Sequence, residues 1–372
     1  MFVSIFIGIT IQSCHSQPTS KPEKEISTYE FKDAKEVAHT PISYQDMTGT
    51  CWAFAMTSFI ESEIIRKTEQ KIDLSEMYIV RNAYLQKAYS NIMRHGQYPI
   101  IEGGLNPDAL EAIAINGLMP YKDYTGLKDK EKFYDHEKMF KQLKEVLPKY
   151  AKSGIQNKDW KIKINTILDK GLGETPNTFN YNGENFTPED FLNFTTINTA
   201  DYLHITSFNH KPYYKNMILD IEWNISNKSF YNVPVNDFCK IANEALDNGF
   251  TIAVELDVSE KGYSGEYGIA VIPNKEEDFS KILYTPLIEK EITQELRQLE
   301  FENFKTNNDH NQHIIGKIKD QNGKNYFIAK NSWRDWGKNG YIYISEAYFK
   351  QKVIYFTIHK EALDNKYKLD CP

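Results

Sequence analysis

Two hydrophobic rhythms divide this sequence. Between Thr50 and Ile65 the apolar residues Trp52, Ala55, Met56, Phe59, Ile60, Ile64 and Ile65 return every three or four positions, the spacing of a helix face. After about residue 201 the runs shorten. TIAVELDV reads as a strand, and QHIIGKIKDQNGKNYFIAKNSW reads as two strands joined by a hairpin turn at Asn322-Gly323. GYIYISEAYF supplies another strand. Helices first and strands last predict an α+β fold of two lobes, with the cleft between them as the place for a site.

The helical half has further elements. DLSEMYIVRNAYLQKAY forms a second helix with Asp73 or Ser75 as its N-cap. The pair Gly103-Gly104 opens a loop, and the next helix is capped near Asn106 and stops at Gly117. Residues 127–200 are rich in Lys, Glu and Asp and read as a mainly helical insertion, while residues 25–44 read as a loop or edge strand. A hydrophobic content of 41% over 372 residues is enough to build an interior, and a net charge of −7 disfavours a nucleic-acid partner.

The first fourteen residues, MFVSIFIGITIQSC, form an apolar run too short to span a bilayer and matching a signal peptide. Ile11-Gln12-Ser13-Cys14 resembles a bacterial lipobox, which implies export and membrane attachment through a lipidated Cys14; the alternative is a secreted protein. Residues 15–30 are polar and carry prolines, as a tether would, and residues 31–372 form the main domain.

Cys14, Cys51, Cys239 and Cys371 are far apart and form no CxxC pair, so neither a zinc site nor a dense disulfide framework is indicated. A single Cys239–Cys371 bridge stays open. No HExxH or phosphate-binding loop occurs, and no metal or organic cofactor is implied. A cysteine on an apolar helix is as a rule a small core residue. Cys51, however, heads its helix, where the dipole favours a thiolate. To act as a nucleophile it needs a histidine from elsewhere in the chain and donors for an oxyanion. Its own backbone N–H and the amide of Gln45 are candidates for the donors.

The stretch Gln45-Asp46-Met47-Thr48-Gly49-Thr50-Cys51-Trp52-Ala53-Phe54 resembles the nucleophile segment of papain-like cysteine peptidases. DHNQHIIGKIKDQNG and YFIAKNSW resemble that family's histidine and asparagine segments. The resemblance implies a papain-like two-lobed fold and peptide or protein substrates. It also implies Cys51 as nucleophile, His310 as its base, Asn331 orienting the imidazole, Gln45 holding the oxyanion and Trp333 shielding the His–Asn bond. His313 is the rival base, but residues three apart in a strand face opposite ways. Gly103 and Gly104 resemble the substrate-groove glycines, and Trp52 and Trp333 join them as expected substrate contacts.

Phrases such as LSEMYIVRNAY and YNVPVNDFCKIANEALDNGF look like the bleomycin hydrolase and aminopeptidase C branch. That likeness implies aminopeptidase action, a C-terminal tail that closes the cleft, and a homo-oligomer. Three features depart from the pattern: Thr48 and Thr50 before the nucleophile, Arg334 where a glycine is usual, and a loop to Trp336 one residue short. They leave room for an inactive exported binding protein, or for a Cys–His acyl transferase.

Overall fold

The computed structural model describes residues 25–128, 131–156, 159–334 and 336–370. The expected signal, Cys14 and most of the tether lie outside the described residues. The chain enters through an edge strand, β1 (Phe31–Glu36), and then builds α1 (Cys51–Thr68), α2 (Glu76–Met93), α3 (Asn106–Asn116), α4 (Glu137–Ser153) and α5 (Asp159–Leu172). Helix α1 is the axle of this lobe. Its sequence shows one apolar face, yet Glu61, Ser62 and Glu63 are buried beside Phe59, Ile60 and Ile64. The helix is therefore covered on every side, and burial reaches residues whose polarity predicts exposure.

Ser75 caps α2 by accepting the Tyr78 N–H at 3.0 Å, which decides between the two candidate caps. Asn106 is not a cap. Leu105 holds the N-cap position of α3, and Asp108 accepts the Leu105 N–H at 2.9 Å. The Asn106 side chain is thereby free to reach across the lobes. Gly117 ends α3 at φ +78°, as expected of a helix-stopping glycine. The charged middle region continues with a hairpin, β2 (Phe179–Tyr181) and β3 (Glu184–Phe186), and α6 (Pro188–Phe194). Phe179, Phe186, Phe191 and Phe194 pack there in edge-to-face, stacked and tilted pairs.

The second lobe holds β4 (Tyr202–Thr206), β5 (Lys215–Ile218), β6 (Ser229–Asn232), α7 (Val235–Asp247), β7 (Ile252–Leu256), β8 (Tyr263–Ser264) and β9 (Ile269–Ala270). It continues with α8 (Phe279–Ile282), α9 (Gln294–Glu302), β10 (His310–Asp320), β11 (Asn325–Lys330), β12 (Tyr341–Ser345), α10 (Glu346–Lys352) and β13 (Val353–His359). The strands form one sheet in the order β5-β6-β4-β13-β7-β10-β11-β12-β9-β8. The long β10 changes partner along its length: β7 pairs residues 310–314 and β1 pairs the far half. Gly316 permits the change, because a Cβ there would meet the Lys35 carbonyl oxygen at 2.2 Å.

Strand β7 lies between the lobes, and its alternation decides what faces the cleft. Ile252, Val254 and Leu256 join the core of the sheet lobe, whereas Ala253 joins the core of the helical lobe. Glu255 shares the Ala253 face and is therefore turned toward α1 and α3. The C-terminal segment leaves β13 and docks Tyr367 against Tyr214, with the Tyr231 hydroxyl donating to the Tyr367 carbonyl at 2.9 Å. This contact is on β6, three places from β7 in the sheet. The described part of the tail does not enter the cleft.

Candidate active site

Cys51 is the first residue of α1 and is half-buried. The first turn of a helix leaves N–H groups without intrahelical partners, and no acidic residue occupies the first turn of α1. The sulfur therefore sits at the positive end of an uncompensated dipole. Across the cleft, Asn311 on β10 is its hydrogen-bond partner, with Oδ1 3.7 Å from Sγ.

His310 precedes Asn311 at the head of β10 and is buried. Its Nε2 lies 2.8 Å from Asn331 Oδ1, and the same oxygen accepts the Ser332 backbone N–H at 2.9 Å. A backbone N–H only donates, so the atom it meets is the amide oxygen. That oxygen requires the His310 proton on Nε2, which leaves Nδ1 as the basic nitrogen. Trp333 covers this pair, its ring centroid 4.1 Å from that of His310. Asn331, Ser332 and Trp333 follow directly on β11, so one short segment orients the imidazole and shields it. Asn331→Ala is expected to lower kcat/KM by about a hundredfold without unfolding the protein, since a positioned acid–base group contributes that much or more. Steady-state kinetics beside a melting curve checks this.

The same segment holds Gln45. Ser332 Oγ donates to Gln45 Oε1 at 2.5 Å, and the Gln45 N–H donates to the Ser332 carbonyl at 3.1 Å. Gln45 Nε2 donates one hydrogen to the Thr48 carbonyl at 2.6 Å, and an amide carries a second. Thr48 and Thr50, departures from the expected pattern, share a hydroxyl–hydroxyl bond of 2.5 Å inside this turn. Arg334 also has a defined place. It donates to Asp46 from Nε (2.7 Å) and Nη2 (2.6 Å), and its guanidinium lies over the Tyr44 and Phe133 rings. Asp46 is at φ +51°, a left-handed residue held by Arg334 and by the Tyr134 N–H. Arg334 thus ties down the loop that presents Gln45. Trp336 is exposed and packs edge-to-face on Trp333 with ring centroids 5.3 Å apart.

His313 is not near Cys51. Its Nδ1 meets Ser58 Oγ at 2.9 Å, two turns further along α1. Gly104 lies against the Trp52 ring, which a Cβ at that position would meet at 3.0 Å, whereas a Cβ on Gly103 would meet open space. Trp52 itself is 0% exposed and donates from Nε1 to the Glu102 carbonyl. The expectation that Trp52 touches substrate is therefore corrected: a wholly covered ring supports the glycine wall from behind. Trp333, half-buried, keeps a face toward solvent.

Sequence reasoning missed a buried polar network at the floor of the cleft. Asn311 Nδ2 donates to Glu255 Oε2 (2.5 Å) and to Asn106 Oδ1 (3.0 Å), and Asn106 Nδ2 donates to the Ala253 carbonyl (3.0 Å). The available signal was a glutamate inside the apolar strand TIAVELDV. Burial is the main cause that pushes the Cys51 thiol up to about 12, and Glu255 adds to it; the backbone N–H groups of Asn311 and Trp52 act the other way. Burial also brings His310 down to about 4, against the pull of Asn331.

A helix-borne thiol, an imidazole with a fixed tautomer, a supporting amide and a glutamine in the turn before the nucleophile, set between two lobes, are the parts of a thiol hydrolase. The family model described as papain family cysteine protease matches residues 27–170 and 292–357, and the chain belongs to that family: it is a papain-family cysteine peptidase. The matched segments contain Cys51, Gly103, Gly104, His310 and Asn331. Among solved structures, PepW from Lactobacillus rhamnosis HN001 (DR20) shares the fold at a TM-score of 0.68 and 19% identity, over 92% of this chain and 84% of that one.

Proposed function

We propose that this protein hydrolyses peptide bonds through Cys51 and His310, with an aminopeptidase-like preference. The observation that carries this is the shared Asn331 oxygen, which fixes a proton on His310 Nε2 and leaves Nδ1 as the nitrogen that exchanges one, beside the segment that faces Cys51. In this scheme Cys51 has passed its proton to His310 Nδ1, giving a thiolate and an imidazolium. The Sγ thiolate attacks the scissile carbonyl, and the imidazolium then gives that proton to the departing amine. Water attacks the thioester with His310 again as base, and the acyl group leaves. The Cys51 backbone N–H and the second Gln45 Nε2–H receive the oxyanion.

An aminopeptidase must recognise a free amine. The cleft wall offers a candidate group. Asp309, exposed and adjacent to His310, is a carboxylate suited to that role. Its oxygens already accept the Val258 N–H and the Ser259 hydroxyl, which hold it in place. Paired peptides differing only in N-terminal acetylation check the preference. The free-amine peptide is expected to be cleaved about tenfold faster, the factor given by about 1.4 kcal/mol of transition-state contact. Equal rates, or faster cleavage of the blocked peptide, would remove the aminopeptidase assignment and leave an endopeptidase. We also propose export with lipidation of Cys14, on the strength of the N-terminal run. Peptide mass mapping of the membrane-fraction protein tests it, and an unmodified Cys14 contradicts it.

A further inference from the structure

A cavity of about 390 Å³ opens between α9, α10 and the loops that follow β7 and β9, a size within the range of small-ligand sites. Cys51, His310, Asn331 and Gln45 are not part of its lining. Gln351 on α10 is, and its side chain is 2% exposed. Gln351 Nε2 donates to Glu300 Oε2 at 2.9 Å and to the Leu296 carbonyl at 3.4 Å. Both partners only accept, so the amide cannot be turned round. Its Oε1 is thereby fixed in place, and among the described residues it has no hydrogen-bond partner. A buried carbonyl without a donor is costly, and the fold supplies none here.

The charges around Gln351 point the same way. Asp257, Glu260 and Glu300 share the lining with one buried ammonium, Lys352. Lys352 pairs with Glu260 and, at 3.0 Å, with Glu300, and it donates to the Lys305 carbonyl at 3.1 Å. Its three hydrogens are spent there. Asp257 accepts the Ser259 and Asn307 backbone N–H groups at 2.9 and 2.8 Å. Burial raises Asp257 to about 6, and the Asp309 and Glu260 charges add to this, so it is ionised at neutral pH. Three carboxylates thus face one ammonium beside an acceptor that lacks a donor. The more exposed part of the lining reverses the sign, with Lys261, Lys290 and Lys305 against Glu276. Ile272, Ile292 and Leu296 add an apolar wall.

We infer that this cavity binds a free amino acid with an apolar side chain, its ammonium donating to Gln351 Oε1 among the carboxylates and its carboxylate meeting the outer lysines. An apolar amine would leave the lysines unanswered, and an apolar acid would leave Gln351 Oε1 without its donor. The aminopeptidase reading enters only as the source of the ligand, since cleavage after a free N-terminal residue releases such a molecule.

Calorimetric titration of the full-length Cys51→Ala protein, which turns over no amide, tests this with three probes. L-Leucine is expected to bind saturably, with a Kd below about 10 mM. L-Leucinamide, which stands for a peptide N-terminus and lacks the carboxylate, should bind about threefold more weakly, as for a lost surface ion pair. N-Acetyl-L-leucine, which lacks the ammonium, should bind at least about tenfold more weakly, because it leaves the buried acceptor and carboxylates unmatched. Gln351→Met, which removes Oε1, should weaken leucine binding about tenfold, and Leu296→Trp, which fills the cavity from its half-buried wall, should abolish it. Acetyl-leucine binding as tightly as leucine, or leucine binding unchanged in Leu296→Trp, overturns the inference. Leucinamide binding as tightly as leucine overturns the choice of a free amino acid in favour of a peptide N-terminus. If Gln351→Met does not fold, Leu296→Trp decides by the same criterion. No leucine binding in a protein that prefers free-amine peptides would sink this site and leave the aminopeptidase reading standing. Leucine binding at the cavity in a protein indifferent to N-terminal blocking would do the reverse.

Discussion

Cys51→Ala is expected to lower kcat/KM on peptide substrates by at least about 10³-fold, because the acyl intermediate forms on its sulfur. The loss should be in turnover, with substrate affinity nearly unchanged. The fold should not suffer. Cys51 is half-buried, and its removal deprives Asn311 Oδ1 of only a weak S–H donor. A melting temperature at or slightly above wild type is expected. Cys239 cannot substitute for it: that thiol is free but buried, with Sγ 3.6 Å from the Asn243 amide, and burial pushes its pKa up to about 12. Turnover within tenfold of wild type in Cys51→Ala would refute the mechanism.

The largest stability effect is expected at Arg297 on α9. Its side chain is 1% exposed and donates to three backbone carbonyls: Ser207 from Nε (2.7 Å), Lys350 from Nη1 (2.7 Å) and Ile354 from Nη2 (3.1 Å). Phe208 and Phe238 sandwich the guanidinium, each centroid 4.8 Å from it. Burial lowers its pKa to about 9, so it stays charged at neutral pH. Arg297→Met keeps the apolar stem and removes three charged donors, although the Ile354 carbonyl keeps the Thr206 hydroxyl at 2.8 Å and the Ser207 carbonyl keeps the Gln294 amide at 3.4 Å. Each hydrogen bond from a charged donor is worth about 1.5–3 kcal/mol, and the remaining donors and partial relaxation reduce the sum, giving a net loss of about 4 kcal/mol. Urea unfolding measures it, and a loss below about 1 kcal/mol would contradict this account. The carbonyls belong to the loop after β4, to α10 and to β13, so the loss would also loosen the strand beside β7 and the floor of the cleft.

The parts of this site that could be read from the sequence are those coded locally. Gln45, Cys51 and the apolar run after it are close neighbours in the chain. His310 and Asn331 flank an Asn-Gly hairpin, and antiparallel pairing across that turn brings His313 opposite Lys330 and sets Asn331 beside the head of β10. What escaped is set by contacts between distant segments. Asn106 resembles a helix cap, yet the chain spends its side chain on Ala253 and Thr357 across the lobes. Glu255 breaks an apolar strand for a reason visible only once Asn311 lies opposite it in the β7–β10 register. Trp52, placed by its sequence neighbours at the substrate, is covered by the Gly103-Gly104 loop that arrives fifty residues later. The burial of Glu61 and Glu63 likewise depends on neighbours that helical periodicity does not reveal.

Labelling by a thiol-directed epoxide, followed by peptide mapping and residual activity on the same samples, tests the central claim most directly. One equivalent on Cys51, with peptidase activity lost in step and labelling abolished by His310→Ala, is the expected result. Equal labelling of Cys51 and Cys239, undiminished labelling in His310→Ala, or full activity in the labelled protein would contradict it.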